Sequence, residues 1–255
     1  MIKGKRNQKK AGSDVITYTV PFDVGEIKGD ISISTKTLRK QSKKQIINKA
    51  TKLSSQGDIL EAAKYYQLFI DKGYKDYRVF SNYGSILKSL GKLKEAEIYT
   101  RKAIQINPEF AVSHSNLGGI LKDIGKLKEA ELYTRKAIQL NPNYAMAHSN
   151  LGSILSEIGK LKEAEVYTRK AIQLNPNLTN AHFNLGNILR DLDRIDEAIL
   201  CYEAAINIDK SLDYALKEIG QLLLKKGNHS NGILKLREAT GSIDFNPKNS
   251  TINIH

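Results

Sequence analysis

Residues 111–144 read AVSHSNLGGILKDIGKLKEAELYTRKAIQLNPNY, and residues 145–178 read AMAHSNLGSILSEIGKLKEAEVYTRKAIQLNPNL. They align without a gap and share 27 of 34 positions. The same register extends to 77–110 and 179–212, and more weakly to 43–76 and 213–246. Six units therefore run from Lys43 to Asn246. Self-similarity at a fixed period of this length is the mark of a stacked array. In such an array each unit buries its apolar side only against its neighbours.

Each unit carries two helical patterns. In 111–144 the first runs roughly from Val112 to Ile124, with Leu117, Ile120, Leu121 and Ile124 at helical spacing. Gly125 can adopt the positive φ that stops a helix. The second runs roughly from Leu127 to Leu140, with Ala130, Tyr133, Ala137, Ile138 and Leu140 on its buried side. Asn141-Pro142 ends the unit, because proline blocks continuation and restricts the residue before it. Equivalent junctions fall at Asn107-Pro108 and Asn175-Pro176, while Asp209-Lys210 lacks proline and is expected to be softer.

Small residues mark where paired helices must approach. The eighth position is Ala50, Gly84, Gly118, Gly152, Gly186 and Gly220, and the twentieth is Ala62, Ala96, Ala130, Ala164, Ala198 and Gly232. A bulky side chain at either place would push the helices apart.

With Leu117-Gly118, Ala130, Ala137 and Pro142 repeated in neighbouring units, the chain resembles the tetratricopeptide repeat (TPR) family over about four-fifths of its length. The resemblance implies an all-α fold, a right-handed superhelical solenoid. First helices would line its concave face and second helices its convex face. The usual aromatic of the fourth position is Phe80, then His114, His148 and His182, and the eleventh is leucine. The twenty-fourth is Thr100, Thr134 and Thr168, each preceded by tyrosine. A core more aliphatic than the family's is expected.

The domain reading is a basic N-terminal extension (1–42), six units (43–76, 77–110, 111–144, 145–178, 179–212 and 213–246) and a tail (247–255). The extension holds short alternating runs, ITYTV and ISIST, after ten residues expected to be disordered. At the other end SIDFNPKNSTINIH predicts a hairpin-like cover folding over the last helix through Ile243, Phe245, Ile252 and Ile254. No run of 18 apolar residues occurs, so no membrane span is expected. The basic start MIKGKRNQKK is followed by no apolar segment, which argues against a secretory leader and for a cytoplasmic location. The single cysteine, Cys201, allows no intrachain disulfide.

The candidate site is an asparagine series. The sixth position is Asn48, Asn82, Asn116, Asn150 and Asn184, then Glu218. In the family register this position faces the groove. An amide offers both donor and acceptor, so it can grip a peptide unit whatever its side chains. The series resembles the asparagine ladder in the repeat region of O-linked N-acetylglucosamine transferase, which implies binding of extended protein segments. Packed helices are about 8–10 Å apart, and an extended chain advances about 3.3–3.6 Å per residue. Each rung would meet about every third ligand residue. Ser81, Ser115, Ser149, Ser85, Gly119 and Ser153 leave room for a backbone, while Phe183 and Asn187 break the pattern. The alternative is a solvent-facing position that simply tolerates asparagine.

Other constellations point away from chemistry. His114, His148 and His182 fall at one position of successive units, too far apart to share a zinc with bonds near about 2.0–2.1 Å. They read as packing residues, as does Cys201, which stands where other units have Tyr99, Tyr133 and Tyr167. The family's two-carboxylate clamp needs Lys, Asn and Arg where the central units have serine and glycine. Lys92, Lys94, Arg101 and Lys102 recur as Lys126, Lys128, Arg135 and Lys136, then Lys160, Lys162, Arg169 and Lys170. Glu97, Glu131 and Glu165 each precede an arginine by four, which predicts a salt-paired outer face. No phosphate-cradling loop, metal-ligand cluster or nucleophile elbow occurs.

The reading is a non-catalytic protein-interaction scaffold, without cofactor or metal, that holds an extended peptide of another protein on the asparagine ladder. One rival is a substrate-recruiting module of a separately encoded glycosyltransferase or other modifying enzyme. Another is salt-sensitive nucleic-acid association through the basic arm and outer edge, permitted by a net charge of +13 but lacking groove aromatics for base stacking. Oligomeric state stays open.

Overall fold

Stop signals recur at 34-residue intervals, and the helices follow them. The computed structural model describes residues 41–240 and two strands, 243–246 and 251–254. Among these residues are α1 (Lys43–Ser55), α2 (Ile59–Asp71), α3 (Tyr77–Ser89), α4 (Leu93–Ile106), α5 (Ala111–Asp123) and α6 (Leu127–Leu140). They continue as α7 (Ala145–Glu157), α8 (Leu161–Leu174), α9 (Thr179–Asp191), α10 (Ile195–Ile208), α11 (Asp213–Lys225) and α12 (His229–Thr240). Consecutive helices pair into hairpins from α1–α2 to α11–α12, and each hairpin stacks on the next. The result is a right-handed all-α solenoid.

Local chemistry explains the boundaries. Ser42 opens α1 with a capping box: its hydroxyl accepts from Gln45 N at 3.3 Å, and Gln45 Oε1 accepts from Ser42 N at 2.8 Å. Gly125 ends the first helix of its unit at φ 87, and Lys126 N–H then donates to the Leu121 carbonyl at 2.9 Å. Asp193 holds the same place in the fifth unit at φ 58, a left-handed conformation that costs an L-residue more than glycine. At unit junctions Asn141 Oδ1 accepts from Asn143 N at 3.1 Å. Where proline is missing, Asp209 makes the same turn with Ser211 N at 3.0 Å.

The two helices of a unit meet at the eighth position. A Cβ on Gly118 would overlap Thr134 Oγ1 and stand 3.2 Å from the Ala130 carbonyl oxygen. Gly84 meets Thr100 and Gly152 meets Thr168 in the same way, while Gly186 faces Tyr202 and Gly220 faces Leu236. Leu117, Ile120 and Leu121 are fully buried. The central core clusters are aliphatic, and at the fourth position the histidines pack as the sequence reading had it. There His114 stacks on Tyr133 and His148 on Tyr167, both at 5.9 Å between centroids. Both imidazoles are buried, with Nε2 bonded to the carbonyls of Pro108 (2.7 Å) and Pro142 (2.8 Å). Each ring thus packs within its own unit and ties it to the preceding junction.

Curvature follows from unequal packing. The first helices α3, α5, α7 and α9 contact one another along the array, whereas second helices pack chiefly against first helices. The first helices therefore line the inner face.

After α12 the chain forms β1 (Ile243–Asn246) and β2 (Thr251–Ile254), antiparallel, with Ile243 opposite Ile254 and Phe245 opposite Ile252. The expected hairpin is present, and β1 lies against α12. It takes up the last four residues of the sixth 34-residue register. The contacts expected from its side chains, and all expectations for residues 1–40, lie outside the described residues.

Two substitutions test these determinants. Gly118→Ala is expected to destabilise by about 1–3 kcal/mol through overpacking. Adding Thr134→Ala, which removes the overlapping hydroxyl, should recover part of that loss in a double-mutant cycle read by denaturant unfolding. Asp193→Gly should raise stability by about 1 kcal/mol, because the left-handed backbone is no longer penalised. Its exposed ion pair with Lys225 is worth too little to offset this.

Candidate functional site

Because the asparagines recur at one helical position, the first helices place all five along the inner face. Asn48 on α1 and Asn82 on α3 are exposed, and Asn116 on α5, Asn150 on α7 and Asn184 on α9 are half-buried. The central three are held from behind. Asn116 Nδ2 donates to Ser81 Oγ at 3.1 Å, Asn150 Nδ2 to Ser115 Oγ at 3.0 Å, and Asn184 Nδ2 to Ser149 Oγ at 3.4 Å. The serines are themselves buried. Among the described residues no hydrogen bond engages the Oδ1 atoms of these three. Each of these three amides is thus tethered through Nδ2 and leaves Oδ1 unengaged. The sixth-unit equivalent, Glu218, instead accepts from Arg190 at 2.7 Å.

Two clefts follow the series. Asn48 and Asn82 line one of about 610 Å³, with Lys43, Lys44, Arg78 and the apolar Ile47 and Val79. Asn150 and Asn184 line another of about 180 Å³, with Ser149, Ser153, Lys88 and Lys122. The two lysines are groove residues that the sequence reading missed. Lys88 pairs with Asp123 at 3.2 Å, and Lys122 with Glu157 at 3.1 Å and Ser153 Oγ at 3.3 Å. Their signal is a lysine followed 35 residues later by an acid. That is also the separation of each rung from its serine.

On the opposite face the second helices carry an ionic lattice. Arg101 binds Glu97 at 2.8 Å on its own helix, and reaches Glu129 at 2.5 Å and Tyr133 Oη at 2.9 Å in the next unit. Arg135 repeats this with Glu131 at 2.7 Å, Glu163 at 2.6 Å and Tyr167 Oη at 3.1 Å. Lys126 and Lys160 add bonds back to Glu97 and Glu131. The expected pairs four apart are present, and the cross-unit bonds had no counterpart in the sequence reading. Hydrogen bonding to Arg135 holds the Glu131 carboxyl below the usual range, against the opposing effect of burial. Cys201 replaces the tyrosine of this lattice, and burial pushes its thiol up, away from the reactive thiolate.

Tetratricopeptide repeat models match residues 77–110 and 111–144, 145–178 and 167–199, and a TPR repeat model matches 186–227. The chain belongs to the tetratricopeptide repeat family. It is similar in fold to the APC/C hetero-tetramer Cut9–Hcn1 (TM-score 0.75, 16% identity, 82% of this chain and 42% of that one). It is likewise similar to TTC0263, a thermophilic TPR protein of Thermus thermophilus (TM-score 0.63, 17% identity, 72% and 100%). A third is YrrB, a TPR protein with an unusual peptide-binding site (TM-score 0.50, 24% identity, 70% and 92%). No curated protein matches the sequence. Among the described residues no helix is long and apolar enough to cross a membrane.

The lattice makes stability pH-dependent in a known direction. A carboxyl whose pKa falls on folding stabilises fully above its ordinary value of 4.5. It loses that contribution as pH drops through the lower folded value. Glu131→Gln should therefore cost about 0.5–1 kcal/mol near neutral pH. Thermal melts across the acid range should show the two proteins converging once Glu131 is protonated. A constant offset at every pH would contradict the assignment.

Proposed function

We propose that the chain is a non-catalytic protein-interaction scaffold whose inner face holds an extended segment of another protein. The repeat family and a fold neighbour with a peptide-binding site support the scaffold class. The observation that carries the groove is the row of tethered asparagines. Asn116, Asn150 and Asn184 are fixed through Nδ2, which leaves Oδ1 to accept backbone N–H groups of a ligand. Asn48 and Asn82 extend the row into the larger cleft. Rungs about 8–10 Å apart suit a peptide that advances about 3.3–3.6 Å per residue, with one contact per three residues. Fixed acceptors cost no ordering when the ligand arrives.

Affinity capture from native lysate at moderate salt tests this, comparing the intact chain with the Asn116→Ala, Asn150→Ala double variant. Circular dichroism checks that the variant keeps its helices, because each substitution also removes a bond to a buried serine. Proteins retained by the intact chain should be lost, with affinity down at least about fivefold for two hydrogen bonds of about 0.5–1.5 kcal/mol each. Equal capture by both would move binding off the inner face.

A further inference from the structure

The outer face carries a feature that neither the fold nor the groove uses. Position twenty-two of five successive units is Ile98, Leu132, Val166, Leu200 and Leu234, each 52–67% exposed. Scattered exposed aliphatics are ordinary, but a row of them on one face marks an interaction surface. The row is not needed for packing, because the buried side of each second helix is filled by residues such as Ala130, Thr134 and Ala137.

The first, second and third members of the row have a distinct border. Ile98, Leu132 and Val166 are each flanked one helical turn to either side by lysine. Lys94, Lys128 and Lys162 form one border, and Lys102, Lys136 and Lys170 the other. None of these six forms an ion pair among the described residues. Lys102 lies over the Tyr99 ring, and Lys136 and Lys170 bond only the neutral Gln139 and Gln173. The arginines of the same helices, by contrast, are all neutralised by glutamates. Beyond Val166 the border changes to Asp196 and Ala204, then Ser230 and Glu238.

We propose that the outer face of the three central units docks an acidic amphipathic helix of another protein. The charge commits the occupant: three aliphatics between two rows of unpaired cations call for an apolar stripe bordered by carboxylates. The spacing suits a helix. Adjacent second helices lie within reach of a single Arg–Glu bridge, roughly 10 Å or a little more, and seven residues of α-helix rise about 10.5 Å. One aliphatic residue every seventh position would therefore keep step with Ile98, Leu132 and Val166. The site is independent of the inner groove, since it uses the second helices alone.

The test is binding of a synthetic helix of about 18 residues, with leucine at every seventh position and glutamate on both flanks, followed by fluorescence anisotropy. A scrambled peptide of the same composition is the control. The intact chain should bind the patterned peptide, with affinity falling several-fold between about 50 and 300 mM salt. Ile98→Ser, Leu132→Ser, Val166→Ser together should weaken binding at least tenfold. So should Lys128→Glu with Lys136→Glu, which touches no buried residue and keeps the test valid if the triple variant misfolds. Asn116→Ala with Asn150→Ala should leave it unchanged, which separates this site from the groove. Equal binding of the scrambled peptide, or full binding by the triple variant, would overturn the proposal. So would failure to bind the peptide while phosphatidylserine vesicles, or a second copy of the chain in sedimentation, engage the face.

Discussion

The array depends on one close approach per unit, where the backbone of the first helix meets a side chain of the second. Gly118 faces Thr134 with no room for a Cβ. The threonine hydroxyl is satisfied without reaching across, because it donates to the Ala130 carbonyl of its own helix at 2.8 Å. Where the partner is larger, the consequences reach the inner face. Tyr202 fills the space opposite Gly186, and its buried hydroxyl donates to Asn187 Oδ1 at 2.8 Å. Asn187 stands in the row that includes Gly119 and Ser153. A choice made in the core thereby occupies a polar atom of the groove, and burial pushes the pKa of that phenol up.

That approach also sets the character of the two faces. First helices of neighbouring units are close enough for short side chains to connect them, as between Asn150 and Ser115. Second helices stand further apart, and long side chains bridge them, as between Arg135 and Glu163. The inner face is therefore built of small residues and fixed amides, and the outer face of long charged ones. Much of the stability of these exposed bridges comes from their connection into a network, since isolated surface pairs contribute little.

The fold was legible because each unit repeats its stop signals. Gly125, Asn141 and Pro142 mark ends at which the chain has few choices, and 27 identities in 34 establish the register. The position of Asn48, Asn82, Asn116, Asn150 and Asn184 was legible for the same reason. What they bond to was not. The link from Asn116 to Ser81 spans 35 residues, and depends on how one unit leans on the last. The same holds for Lys88 with Asp123 and for Arg101 with Tyr133. Periodicity within a helix states which face a residue occupies, but stacking between units decides its partner. The fourth-position histidines show the limit in the core. Their packing role was legible from the repeat position, but the tyrosine faces and junction carbonyls they meet were not.

The formal charge of +13 acquires meaning only once the partners are known. The lattice arginines are neutralised, and the groove lysines Lys88 and Lys122 are paired with acids. The central groove therefore offers acceptors and shape rather than net charge, which suits recognition of a backbone. The unpaired cations of the central units gather on the outer face, beside aliphatic residues that the core does not need. The exposed aliphatics are the part that is costly to leave in water, and the lysines beside them select a partner whose apolar stripe is bordered by acids. The proposed groove and the proposed outer-face site share no side chain, so each is tested by substitutions that leave the contacts of the other intact.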